Sequence, residues 1–335
     1  MNTRTQTFSV IIPTRDRASV FDTALKSVLA QQYRDYEVIV VDDGSSIEQN
    51  RIYRKLTAPV GAKLLTLEPS SNGYGPSFAR NYGAAHTRGD YLCFLDDDDE
   101  WIDPMHLQRV AKVIAPQPTD LILANQKAFR AGVALPDGIW IEDLANRLRQ
   151  QTDANGAVEV TSRELLTCAG HCHVNTMIVR NTFYRTLGGF DEHLRYEEDV
   201  DFFLRAIDRA ESVKYLPFLV SRHNVPVVNP ASTSLDTSKE VNRVYLYRKA
   251  ALLSQQPEVR RYALRHLSFA LERVARDTLL QGRIIVAICY MTEWLKTKAA
   301  LIWDSENKCR GVYFHHPQLM PPLFLTTPSY NEWRR

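Results

Sequence analysis

A buried strand that runs straight into four consecutive aspartates constrains this chain more than any other feature. Tyr91 to Leu95 is aromatic and apolar and reads as a strand; Asp96-Asp97-Asp98-Asp99-Glu100 follows directly, then Trp101 and Pro104. Packed anions repel one another, and a hard divalent cation with oxygen ligands is their natural partner. In open α/β sheets, ligands bind just past the carboxyl ends of the strands. The cluster therefore points to a metal that holds the phosphates of a substrate.

The surrounding pattern sets the fold class. Apolar runs at Phe8–Ile12, Glu37–Val41, Lys63–Leu67, Tyr91–Leu95 and Leu121–Asn125 predict strands, with Val174–Val179 and Val213–Tyr215 as later candidates. Helical spacing occupies Val20–Leu29, Ser77–His86, Met105–Ile114 and Glu198–Arg209, and a short helix is expected near Glu142–Gln150. Strands alternating with helices predict an α/β fold with a mainly parallel central sheet flanked by helices. Residues 226–240 include a stretch rich in Pro, Ser, Thr and Asn and read as a linker between a catalytic domain, 1–225, and a C-terminal helical region, 241–335. Those last helices are expected to break near Pro257 and Gly282.

Charge is distributed unevenly. The formal net charge of +2 divides into +8 for residues 241–335, from 15 Lys+Arg against 7 Asp+Glu, and −6 for the rest. The acidic part holds the metal candidates; the basic part suggests anionic surroundings or a partner surface. No stretch reaches the ~18 apolar residues of a membrane-spanning helix. Met1 to Thr7 lacks the apolar stretch of a signal peptide, and five irregularly spaced cysteines make no disulfide framework, so a cytoplasmic location is expected. No nucleic-acid partner is expected.

Two further groups of residues carry chemistry. Pro13-Thr14-Arg15 follows the first strand and Asp42-Asp43-Gly44-Ser45 the second, so parallel pairing would bring both loops to one rim. An acid there could accept hydrogen bonds from a ribose hydroxyl or a base N–H; the plain alternative is turn chemistry. Gly188-Gly189-Phe190-Asp191 precedes Glu197-Glu198-Asp199, which would open a helix, either as a general base at a pocket edge or as ordinary N-terminal capping. Cys168, His171, Cys172 and His173 suggest a zinc cluster, but their crowded spacing does not match paired knuckles and no second pair follows.

Taken in order, Ser9-Val10-Ile11-Ile12-Pro13-Thr14, Val41-Asp42-Asp43-Gly44-Ser45, Ala79-Arg80-Asn81, Phe94-Leu95-Asp96-Asp97-Asp98 and Gly188-Gly189-Phe190-Asp191 to Glu198-Asp199 resemble the family 2 glycosyltransferases, inverting enzymes of the GT-A fold. The resemblance covers roughly residues 8–225. It implies that Pro13, Thr14, Arg15 and Asp43 line the nucleoside pocket and that Arg80 sits near the sugar-nucleotide. It further implies that Asp96, Asp97 and Asp98 form a D-x-D element contacting ribose and a Mn²⁺ or Mg²⁺ ion. Asp98 is the first choice of metal ligand, with Asp96 beside it, and Asp99 leaves the register open by one residue. His223 is placed either at the diphosphate and metal or in a structural hydrogen bond. Asp199 would be the catalytic base, with Glu198 beside the acceptor.

The activity implied is transfer of a sugar, with inversion, from a nucleotide-sugar, most simply a UDP-sugar, to a hydroxyl of a growing surface glycan or polyprenyl-linked saccharide. A nucleotidyltransferase would combine a nucleotide-binding sheet with acidic metal sites too, and a non-catalytic sugar-nucleotide or glycan-binding module is the alternative outside enzymes. Arg283 to Trp303 alternates apolar and basic residues. It reads as an amphipathic helix at an anionic membrane surface, peripheral at the inner face of the cell membrane, or as a helix packed on the catalytic domain or in an oligomer contact.

Overall fold

The computed structural model describes residues 6–139, 141–148, 152–168, 170–225 and 237–308. One ten-stranded sheet organises them. Strands β1 (Phe8–Thr14), β2 (Tyr36–Asp42), β3 (Lys63–Thr66) and β4 (Tyr91–Phe94) pair in parallel in the order β3-β2-β1-β4. β9 (Met177–Arg180) runs antiparallel between β4 and β6 (Leu121–Arg130), and β10 (Val213–Val225) then pairs in parallel with β6. The short β5 (Glu100–Trp101) closes the far edge against β10. β7 (Val133–Ile139) pairs with β6, and β8 (Val158–Glu159) with β10. The sheet is thus mixed where the sequence pattern predicts a mainly parallel one. The reversal at β9 leaves β4, β6 and β10 pointing the same way.

All seven residues of β1 are buried, as expected of a strand covered on both faces. Its side chains alternate between two cores, because successive residues of a strand face opposite ways. Val10 and Ile12 join Val38, Val40, Tyr91 and Cys93 beneath α1 (Ala18–Leu29) and α4 (His106–Ile114). Ile11 joins Ile39, Val41, Leu92 and Phe94 beneath α3 (Pro76–Ala85) and α8 (Glu198–Arg209). Gly83 of α3 lies so close to Ile11 that a Cβ would clash with its Cγ2. α2 (Ile47–Thr57), which the sequence reading did not separate from loop, buries Tyr53 and Thr57. Three shorter helices, α5 (Glu142–Leu148), α6 (Ser162–Leu165) and α7 (Asn181–Thr186), cover the margins.

The C-terminal region is α9 (Thr237–Leu253), α10 (Pro257–Leu280) and α11 (Ile284–Lys308). The breaks fall at Pro257, which starts a helix because its missing N–H is unused there, and at Gly282, whose φ of 75° suits glycine. Val244, Leu246 and Tyr247 of α9 and Val259, Leu264, Leu267 and Leu271 of α10 belong to the same core cluster as α8. Of the expected linker, residues 226–236 lie outside the described residues and 237–240 form the first turn of α9. Among the described residues, no helix is long and apolar enough to cross a membrane.

Candidate active site

Register fixes the rim. Thr14 pairs with Asp42 and Ile11 with Phe94, so β1, β2 and β4 end side by side. β10 points the same way and brings His223 to that rim. The four aspartates, which look equivalent in sequence, are given four different environments by these neighbours.

Asp96 meets Arg80. The guanidinium donates from Nη2 to Asp96 Oδ1 at 2.6 Å and from Nη1 to Glu198 Oε1 at 2.7 Å. Arg80 is buried, stacks over the Phe190 ring at 5.2 Å, and leaves Nε without a partner. Burial opposes its charge, but Asp96 and Glu198 hold it firmly protonated, raising its pKa above the usual value. Arg80, expected near the sugar-nucleotide, thus ties the strand-end cluster to the start of α8. Glu198 is 9% exposed and spends its carboxylate on this pair.

Asp97 accepts from Thr14 Oγ1 at 2.7 Å and from Arg17 Nη1 at 3.2 Å; burial nonetheless pushes its carboxyl up to about 6. Asp98 pairs with the same Arg17 at 2.9 Å. Sequence reasoning missed Arg17, which stands two residues past the Pro13-Thr14-Arg15 group. Asp99 is buried. Its Oδ1 accepts from Asn224 N at 2.7 Å, and its Oδ2 accepts from Asn175 Nδ2 at 2.5 Å and lies 2.8 Å from His223 Nδ1.

Asp99, His173 and His223 each bring one potential ligand atom within 4.8 Å of the others. Among the described residues this set contains Asp99, His173 and His223; Asp98, the first choice of metal ligand from sequence, lies outside it, and His223 meets Asp99 in a hydrogen bond. Burial lowers the His173 pKa against the pull of Asp199 and Asp96, whereas the Asp99 carboxylate outweighs burial and raises that of His223. A weak contact at 3.4 Å from Asn175 N to His173 Nδ1 leaves Nε2 toward Asp96 and Asp199, 3.7 and 3.9 Å away.

Asp199 sits in the first turn of α8, half-buried, with His171 Nε2 3.3 Å from its Oδ2. Burial would raise its carboxyl; the hydrogen bond from His171 and the charges of His171, His173 and Arg80 hold it below the usual range, so it is ionised. The four residues suggestive of a zinc cluster diverge: Cys172 Sγ turns to Ala124 O and Cys168 Sγ to Glu164 O, while the histidines turn to Asp199. Asn175 joins the two halves, with Oδ1 accepting from Asp96 N and its carbonyl from Trp101 Nε1. Its only signal in sequence was its position beside those histidines.

On the other flank, Asp43 accepts from the backbone N–H of Tyr74 at 2.8 Å and Gly75 at 2.9 Å, anchoring the turn that opens α3. Arg15 donates to Ser70 O in the same turn. Gly73 has φ 62°, and a Cβ there would strike both Arg15 and Asp43. Thr14 and Pro13 lie at the end of β1, so Pro13, Thr14, Arg15 and Asp43 do line one continuous stretch of rim.

Residues 9–164 match the family model described as Glycosyl transferase family 2. Over that stretch, just under half of the chain, the sequence is similar to this family. Among its relatives is an uncharacterized glycosyltransferase of Nostoc sp., 35% identical over 154 residues, which are 44% of this chain and 46% of that one. The amylovoran biosynthesis glycosyltransferase AmsB of Erwinia amylovora is 26% identical over 59% of this chain and 63% of its own length. This chain thus spans about half to two thirds of those two family 2 relatives. The crystal structure of Staphylococcus aureus TarS 1–349 in complex with UDP-GlcNAc superposes with a TM-score of 0.62 at 20% identity, over 92% of this chain and 93% of that one. That likeness establishes the shared GT-A-like fold, including the C-terminal helices.

The C-terminal region touches the site's support. Glu197, the residue before α8, has φ 57°, a left-handed conformation that a non-glycine residue adopts at a cost. Arg243 of α9 holds it with Nε and Nη2 at 2.8 and 2.7 Å. Arg243→Ala is expected to lower stability by ~1–2 kcal/mol, the scale of lost charge-assisted hydrogen bonds. Urea unfolding of the full chain measures it; an unchanged midpoint would show that Glu197 is held by other contacts.

Proposed function

We propose that this protein is a metal-dependent inverting glycosyltransferase. It moves a sugar from a nucleotide-sugar, with UDP-GlcNAc the first candidate, to a hydroxyl of a growing surface glycan or a polyprenyl-linked saccharide at the inner face of the membrane. The observation that supports this reading most is the convergence of two acidic groups on one rim. The strand-end aspartates and the Glu198-Asp199 pair come from sequence positions about a hundred residues apart, and one buried arginine links Asp96 to Glu198, the neighbour of Asp199.

Asp199 suits the part of general base: it is ionised, it stands in the first turn of α8 beside Glu198, and the bond to His171 fixes its orientation. Glu198, engaged with Arg80, suits positioning instead. Pro13, Thr14, Arg15 and Asp43 offer the nucleoside its pocket, with Asp96 and Asp97 next to it. A carboxylate with two imidazoles is a donor set that fits Mn²⁺ better than Mg²⁺, which prefers oxygen alone. Asp99 and His223, with His173 alongside, would hold such an ion. When bound, it would neutralise the charge developing on the nucleoside diphosphate. The acceptor oxygen, relieved of its proton by Asp199, attacks the anomeric carbon opposite the leaving group, and the configuration inverts.

UDP release from UDP-sugars, with Mn²⁺ or with EDTA, tests this reading. The transferase is expected to release UDP with Mn²⁺ and lose that activity with EDTA. Pyrophosphate release from a nucleoside triphosphate would indicate a nucleotidyltransferase instead, and nucleotide-sugar binding without turnover a binding module. Titration calorimetry locates the ion: Asp99→Ala and His223→Ala are expected to weaken Mn²⁺ binding by at least ~10-fold, the usual scale for lost metal-site interactions. Asp98→Ala, whose partner is the half-exposed Arg17, is expected to weaken it less. The reverse order would return the ligand role to Asp98.

A further inference from the structure

We propose that the outward side of the α10–α11 hairpin is a docking surface for an anionic lipid bilayer. It lies in the plane of the headgroups and lowers the apolar helix ends that flank the Gln281-Gly282-Arg283 turn into them. This deepens the membrane-side acceptor reading above and rests on it only for the purpose that docking serves.

α11 has two apolar sides. Ala287, Tyr290, Trp294, Thr297 and Leu301 recur every three or four residues and form its inward side; Ala287 and Thr297 are buried, and Tyr290, Trp294 and Leu301 pack on the core. Ile284, Ile288, Met291 and Leu295 recur with the same spacing on another side and are 60, 59, 43 and 58% exposed. The stripe continues around the turn, where Leu280 and Ile285 are the most exposed at 78 and 80%. Scattered exposed apolar residues are ordinary, but a continuous patch on a soluble surface marks an interaction site.

Charge decides the occupant. Lys296 and Lys298 border the stripe on opposite sides, and Lys298 Nζ lies 5.8 Å from the Phe269 ring of α10. Phe269, Arg273, Arg276 and Leu280 follow the same three-or-four spacing, so Arg276 adds basic charge to the adjoining side of α10, where Arg273 is paired with Glu240 at 3.3 Å. Glu293, by contrast, turns away to Arg248, at 2.8 and 2.6 Å. A second copy on a two-fold axis would set lysine against lysine over an apolar seam. A layer of anionic headgroups supplies the missing charge, while the upper acyl region takes Leu280 and Ile285. Lysines flanking such a stripe can lay their stems on it and keep the ammonium among the headgroups.

Co-sedimentation of the full chain with phosphatidylcholine vesicles, with and without phosphatidylglycerol, tests the proposal. Binding is expected only with phosphatidylglycerol and should fall several-fold in high salt, since screening shortens the reach of exposed charge. Leu280→Asp/Ile285→Asp and, separately, Lys296→Glu/Lys298→Glu are each expected to reduce binding at least ~10-fold, as buried apolar area and basic charge both contribute. UDP release and elution volume should stay unchanged. The lysine variant alters exposed charge alone, so it serves where the apolar one misfolds. No binding by the wild type, equal binding to neutral vesicles, or unaltered binding by the lysine variant overturns the proposal. A dimer that the apolar variant splits, without loss of vesicle binding, assigns the face to a second copy. Loss of UDP release in the wild type speaks against the transferase reading and leaves vesicle binding to decide docking.

Discussion

Asp199→Asn is expected to reduce turnover by at least ~100-fold, the lower scale of general base catalysis, while the KM for the nucleotide-sugar barely moves. The amide keeps the size of the carboxylate and can still meet His171, so the fold and the orientation of the side chain survive; what is lost is the ability to accept a proton. The split between kcat and donor KM is the informative readout, because the proposed mechanism assigns Asp199 to the acceptor and the strand-end aspartates to the donor. A variant with normal turnover, or one whose main defect is donor binding, would move the base elsewhere. Glu198→Gln then makes a useful contrast. It weakens the bond to Arg80, so its effect should appear in stability as well as in rate.

Arg80→Met is expected to cost ~3–5 kcal/mol of stability, the scale for removing one partner of a buried ion pair, and to abolish detectable transfer. Methionine fills much of the same volume, so the loss is electrostatic rather than a cavity. Asp96 and Glu198 are left buried without their shared cation. Both then take up protons more readily, and the connection between the strand-end cluster and α8 is lost. Denaturant unfolding measures the first effect and UDP release the second. The sign of the pH dependence follows from Asp96, whose carboxyl is held below its usual pKa, against burial, by the Arg80 charge. Its contribution in the wild type is present above the unfolded carboxyl pKa and is lost as pH falls through the lower folded one. The variant should therefore lose less stability on acidification than the wild type. A fully stable variant would show that the pair contributes little and that Arg80 serves the substrate instead.

The sequence reading located β1, β2 and β4 because they are largely buried on both faces, and such strands appear as unbroken apolar runs. It located the C-terminal breaks because proline and glycine act locally. It missed β5 and β8, two residues each, which exist only because β10 offers them an edge. β9 was legible as a strand, but its antiparallel direction was not, since direction depends on the path between elements. Arg17 and Asn175 went unrecognised because neither stands in a motif; each acquires a role only from what lies across from it.

What this sequence determined by itself is the presence of an acidic strand end, a pair of loops after the first two strands and a second acidic group at a helix start. Those are properties of neighbouring residues along the chain, set by apolar runs and by which residue types tolerate turns and helix beginnings. Only the tertiary structure decided which aspartate does what. Asp96 faces a buried arginine, Asp97 and Asp98 share an exposed one, and Asp99 turns its carboxylate to His223 and the Asn175 amide. The physical reason is that a carboxylate's role is set by the charges and donors within a few ångströms, and those partners come from residues 17, 80, 173, 175, 198 and 223, which no local pattern brings together.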